Sequence, residues 1–118
     1  MNLVKMFEHA NDIEEYDTGT WLFHEGTPGN IMYVLLAGEV EISIRGQVLL
    51  QAESGDLLGE MALIDSKSRS ASAQALTDCR VAPVSEARFL ELVQHTPAFS
   101  IHVMRVLADR LRRMLKHV

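Results

Sequence analysis

The sequence predicts a mainly β chain, an antiparallel β-roll with helices at both ends, on three observations. Glu39-Val40-Glu41-Ile42-Ser43-Ile44-Arg45 alternates polar and apolar residues, the period of a strand with one buried face. Clusters of turn-forming residues, Gly26-Thr27-Pro28-Gly29-Asn30 foremost, cut the middle of the chain into short segments. From Ser85 onward the apolar period becomes helical. Strands followed by helices on 118 residues fit a single domain over 1–118, with a helical segment at 1–15, the β-roll at 19–85 and C-terminal helices at 86–118.

Asn2 to Glu15 reads as a short amphipathic helix with Leu3, Met6 and Phe7 on one side, followed by an acidic connection. Gly19 opens a strand through Thr20-Trp21-Leu22-Phe23-His24, which the Gly26–Asn30 cluster ends. Ile31 to Leu36 is apolar at every position, as a strand buried on both faces requires. In the alternating strand Val40, Ile42 and Ile44 share the buried face, and Gly46-Gln47 makes a tight hairpin to Val48-Leu49-Leu50. Ser70 to Ala75 and Arg80 to Val84 give two more strands around a Thr77-Asp78 turn. Pro83, lacking an amide donor, favours an edge position.

Ser85 caps a helix with Phe89, Leu90 and Val93 on one face, and Thr96-Pro97 starts another with a capping hydroxyl and a proline where no amide partner is needed. From Pro97 to about His117, residues Ile101, Met104, Leu107, Ala108, Leu111, Met114, Leu115 and Val118 form one apolar face. It spans about 160°, whereas packing against a barrel needs roughly 100°. The surplus predicts a second contact, as a lid over a ligand or against the same helix of another subunit. Met104, Leu107, Leu111, Met114 and Val118 keep the spacing of a coiled-coil seam.

The net charge of −5 is uneven: fifteen of sixteen acids precede Arg105, and five of eleven basic residues lie from Arg105 onward. An acidic body argues against a nucleic-acid face, and basic residues late in a helix sit where its dipole favours them. The single Cys79 cannot form an internal disulfide, and the histidines, among them His24, His95, His102 and His117, are too scattered for a metal or general-base set. No catalytic constellation is present. No apolar run reaches membrane-spanning length, and the N-terminal segment is acidic rather than leader-like, which predicts a cytoplasmic protein.

The chemistry concentrates between Gly55 and Ala73. Leu57-Leu58 leads to Gly59, where the backbone can be approached closely, and Glu60-Met61-Ala62-Leu63-Ile64 has the composition of one or two helical turns. The first amides of such a helix lack partners and suit an anion. After a polar Asp65–Ser68 loop, Arg69 can fold back over the helix start and grip two phosphate oxygens with its planar fork.

Gly59-Glu60-Met61-Ala62-Leu63 followed by Arg69-Ser70-Ala71 resembles the phosphate-binding cassette of the cyclic nucleotide-binding domain, found in the bacterial catabolite activator, cyclic-AMP-dependent kinase regulatory subunits and cyclic-nucleotide-gated channels. The Gly26–Asn30 cluster leading into Tyr33-Val34-Leu35 and Gly38-Glu39-Val40 is similar to the barrel signature of that family. The resemblance implies a jelly-roll, or double-stranded β-helix, with a cassette at 55–73 and a non-enzymatic sensor role. It implies that Arg69 pairs with the phosphate, helped by Ser70 and amides near Ala62, and that Glu60 accepts the ribose 2′-hydroxyl while Gly59 lets the ribose approach. Arg110 falls where the activator's C-terminal helix has an arginine that pairs with the cassette glutamate. Met114 and Leu115 replace hydroxyl residues that read the adenine there, and Leu58 replaces a frequent phenylalanine. Ser70 leans toward cyclic AMP by family analogy, with cyclic GMP as the other candidate and no cofactor implied. The expected partners are the nucleotide and, through the last helix, a second copy, with the output carried by another domain or protein and no direct contact with nucleic acid or membrane. Two other readings are an orphan β-roll kept as an interaction or dimerisation module, against which the intact cassette speaks, and a cupin-type enzyme, which needs clustered metal-binding histidines.

Overall fold

A computed structural model of the chain describes residues 1–65 and 67–115. They fall into two compact units, Asn2–Glu86 and the segment from Ala87 onward with Met1.

The first unit is the β-roll. Helix α1 (Leu3–Phe7) is capped by the Asn2 side chain, which accepts from the Lys5 N–H. Strands β1 (Glu14–Tyr16), β2 (Trp21–Phe23), β3 (Ile31–Ala37), β4 (Val40–Ile44), β5 (Gln47–Ala52) and β6 (Leu57–Leu58) precede helix α2 (Glu60–Asp65), and β7 (Ser72–Ala75) and β8 (Cys79–Ser85) follow it. They form two four-stranded sheets, ordered β1-β8-β3-β6 and β2-β7-β4-β5, and every pairing is antiparallel. Leu22, Tyr33, Leu35, Val40, Leu58 and Val81 from both sheets build one core. Both faces of β3 are buried, as its unbroken apolar run predicts: Tyr33 and Leu35 point into that core, and α1 and α2 pack against the same strand.

Four local readings are corrected. The N-terminal helix stops at Phe7, and Glu14–Tyr16, read as part of an acidic connection, is a strand at the edge of its sheet, held to Cys79–Val81 of β8. Its acids escape burial because an edge strand has open flanks. The hairpin turns on Arg45 and Gly46, at φ 53° and 77°, rather than on Gly46-Gln47, so Ile44 pairs with Gln47 across a two-residue turn whose central positions both take positive φ. The strict alternation fails at its end. A bulge shifts the β4–β5 register between Ile42 and Ser43, leaving Leu49 of β5 without a counterpart, and beside it Ser43 is buried while Ile44 is half-buried. Finally, β8 is an inner strand, yet Pro83 pairs only with Tyr33, because β1 reaches no farther than Val81. The missing amide therefore meets no ladder on its other flank.

The second unit contains α3 (Glu86–His95) from its second residue on, a helix that begins right after Ser85, and α4 (Pro97–Leu115), which begins at the proline. Leu92, not Leu90, is the buried residue of α3, and Leu90 is exposed. In α4 the buried residues are Phe99 and Val103, with Phe99 edge-on to Phe89 at 5.7 Å between ring centres. Ile101, Met104, Leu111, Met114 and Leu115 are exposed and Leu107 is half-buried, so much of the apolar face, whose width predicts a second contact, is uncovered in this chain. Its last position, Val118, and His117 lie outside the described residues. No helix among the described residues is long and apolar enough to cross a membrane.

Candidate functional site

Arg69 is the centre of the site, and it is buried, with 6% of its surface exposed. Its backbone is fixed on the loop after β2, where its N–H donates to the Thr27 carbonyl and its carbonyl accepts from Gly26, each at 2.8 Å. The side chain then runs inward. Nη1 donates to the Gly59 carbonyl at 3.1 Å and Nη2 to the Ile31 carbonyl at 2.7 Å, while the guanidinium carbon lies 4.3 Å from the centre of the Phe23 ring. Tyr33 stacks beyond Phe23, nearly parallel, at 6.3 Å. Burial pushes the guanidinium pKa below its ordinary value, and the charges of Tyr33 and Glu60 act in the opposite sense. Of its five N–H groups, Nε–H is buried without an acceptor among the described residues. A buried donor of this kind is costly unless a ligand completes it.

The cassette glycine and glutamate stand beside it. Gly59 has φ +72°, and a Cβ there would collide with Arg69 Nη1 and touch Phe23 at 3.4 Å. Glycine thus serves both a left-handed turn and the passage of the guanidinium. Glu60 begins α2 and is only 3% exposed. Ser70 is exposed, and its hydroxyl has just a long contact of 3.8 Å to Met61 Sδ. Ala62 is buried in α2 and lines a cavity of about 430 Å³ together with Pro28, Gly29, Asn30, Leu63, Lys67, Ser68 and Glu86. Arg110 lies on α4, half-buried, in the second unit.

Sequence reasoning folded Arg69 back over the helix start from a polar loop, and it missed Phe23, Gly29 and Ile31. Those three make the socket that the arginine occupies. Gly29 was read only as a turn residue, although a second glycine in a turn already containing Gly26 and Pro28 is a sign of crowding.

A Gly-Glu helix start and a buried arginine bonded to the Gly59 carbonyl are thus set in a two-sheet antiparallel roll. Comparison with known proteins agrees: the family model described as "Cyclic nucleotide-binding domain" matches residues 13–96. The chain belongs to the cyclic nucleotide-binding domain family. Among curated relatives it is 30% identical over 104 residues to a CRP-like cAMP-activated global transcriptional regulator of Mycobacterium tuberculosis, covering 84% of this chain and 46% of that protein. It is 33% identical over 100 residues to a cAMP-dependent protein kinase regulatory subunit of Emericella nidulans, covering 79% of this chain and 24% of that one. Among solved structures, the Thermus thermophilus catabolite activator protein superposes with a TM-score of 0.80 at 30% identity, over 86% of this chain and 50% of the other. The chain spans less than half the length of these curated relatives.

Proposed function

We propose that this chain is a sensor domain that binds cyclic AMP in the Gly59–Ser70 cassette. The observation that carries the reading is the buried Arg69, whose Nε–H has no acceptor among the described residues and which interacts with Gly59 and with the charge of Glu60. A cyclic nucleotide offers one negative charge spread over two exocyclic oxygens. The guanidinium and the hydroxyl and amide of Ser70 match that charge, with amides near Ala62 adding donors. The carboxylate of Glu60, acceptor-only when ionised, suits the 2′-hydroxyl. The cAMP-activated regulator of Mycobacterium tuberculosis supports the choice of cyclic AMP, with cyclic GMP the competitor to measure against it.

Regulation follows as part of the same proposal. The nucleotide draws the cassette inward, and α4, bringing Arg110, closes as a lid by a shift of population toward the closed state. The exposed residues Met104, Leu111 and Met114 favour a second copy of α4 as partner, through which the signal leaves a cytoplasmic, non-enzymatic domain. Replacing Arg69 with alanine tests the site: cyclic AMP binding should disappear while the far-ultraviolet circular dichroism stays that of the wild type. Unchanged affinity in that variant would remove Arg69 from the site.

A further inference from the structure

We propose that Phe23 and Gly29 hold Arg69 in its phosphate-binding position before any nucleotide arrives, an inference that rests on the reading of Arg69 given above. Neither residue belongs to the cassette, and they precede Arg69 by more than a third of the chain. Phe23, half-buried on the edge strand β2, presents its ring to the guanidinium carbon at 4.3 Å. A cation over a ring face is attracted by the ring quadrupole, and more strongly where water is excluded, as at a side chain only 6% exposed.

Gly29 contributes space. A Cβ at this position would fall on Arg69, with Nε closest, Cζ at 2.5 Å and Cδ at 2.7 Å. Unlike Gly59, Gly29 is not among the residues with positive φ, so its backbone would accept alanine. The three atoms nearest to such a side chain all belong to the arginine. With the Gly59 and Ile31 carbonyls fixing the two Nη atoms, the guanidinium is held on its face by Phe23 and along its stem by Gly29. The rotamer freedom of a long side chain is then lost during folding instead of during binding, which leaves more of the interaction with phosphate as affinity.

The test has two arms. In the first, the arginine Nε–H resonances of the nucleotide-free protein are recorded by proton–nitrogen NMR, Arg69 being assigned by its absence in Arg69→Lys. The socket predicts a slowly exchanging Arg69 Nε–H displaced by the Phe23 ring current, which returns to the position of exposed arginines in Phe23→Leu. An Arg69 signal that already behaves as exposed in the wild type, or that ignores Phe23→Leu, overturns the proposal. In the second arm, cyclic AMP is titrated into each variant. Phe23→Leu and Gly29→Ala should bind roughly tenfold or more weakly while keeping the far-ultraviolet circular dichroism of the wild type, Gly29→Ala with a lowered melting temperature from its collision with Arg69, and Phe23→Tyr should keep wild-type affinity. Wild-type affinity in both weakened variants also overturns it. Should the wild type bind no cyclic nucleotide, the functional reading falls by itself, and the NMR arm decides the socket.

Discussion

Gly59→Ala separates the two demands on this residue, because the chain supplies its own control. Gly46 has φ +77°, close to the +72° of Gly59, but a Cβ at Gly46 would meet nothing within 4 Å. Alanine at position 46 therefore carries only the left-handed backbone strain, about 1–2 kcal/mol. At position 59 the same strain is joined by collision with Arg69 Nη1, which breaks the bond to the Gly59 carbonyl. A hydrogen bond from a charged donor contributes about 1.5–3 kcal/mol. At roughly 5 °C of melting temperature per kcal/mol for a chain of this size, Gly46→Ala should lose about 5–10 °C and Gly59→Ala about 12–25 °C. Differential scanning calorimetry reads both directly, and Gly59→Ala should also lose cyclic AMP binding while Gly46→Ala keeps it. Equal losses in the two variants, with binding intact in both, would refute the claim that Gly59 exists to admit the arginine.

Three further outcomes follow. Cys79 is 2% exposed, its thiol pKa is pushed up by burial, and its Sγ donates toward the Thr77 carbonyl at 3.1 Å, so it should react with a disulfide reagent only after denaturation; rapid native labelling would contradict its place in the core. Partial burial, then the positive charges of the Met1 amino group and Arg105, lower the pKa of His102 from its ordinary 6.5. The unfolded chain therefore takes up the proton first, and stability present above pH 6.5 should decline on acidification, a slope that His102→Gln should flatten in melting curves taken from pH 7.5 to 5. If α4 pairs with a second copy, sedimentation should show a dimer that Met104→Glu with Leu111→Glu converts to monomer without loss of helicity; a wild type that stays monomeric at high concentration contradicts that role.

The fold was legible where local chemistry is decisive. The Thr96-Pro97 start of α4, the apolar run of β3 and the Gly-Glu start of α2 each carry their structure in adjacent residues. It was illegible where distant residues decide. Nothing near Glu14 announces a strand, because its pairing partner Val81 lies far along the chain, and the bulge opposite Ile42 and Ser43 lies in the partner strand β5, at Leu49. Leu90 and Leu92 differ only in what each meets in the fold, and periodicity chose the wrong one. The site divides in the same way. Gly59, Glu60, Arg69 and Ser70 are a contiguous motif, whereas the socket of Phe23, Gly29 and Ile31 exists only after β2 and β3 are brought against the cassette. The return of Arg69 over the helix start was legible, whereas its burial was not, because a charged residue that follows a polar loop gives no sign of it.

The most direct test of the central claim is titration calorimetry of the chain with cyclic AMP, cyclic GMP and 5′-AMP at modest salt. The account predicts binding of cyclic AMP at micromolar concentration or tighter, weaker binding of cyclic GMP, and little heat from the linear nucleotide, whose second phosphate charge and open ring do not fit a site with one buried guanidinium. Absence of heat with both cyclic nucleotides would contradict it, and would turn attention to the exposed face of α4 as the working surface of the domain.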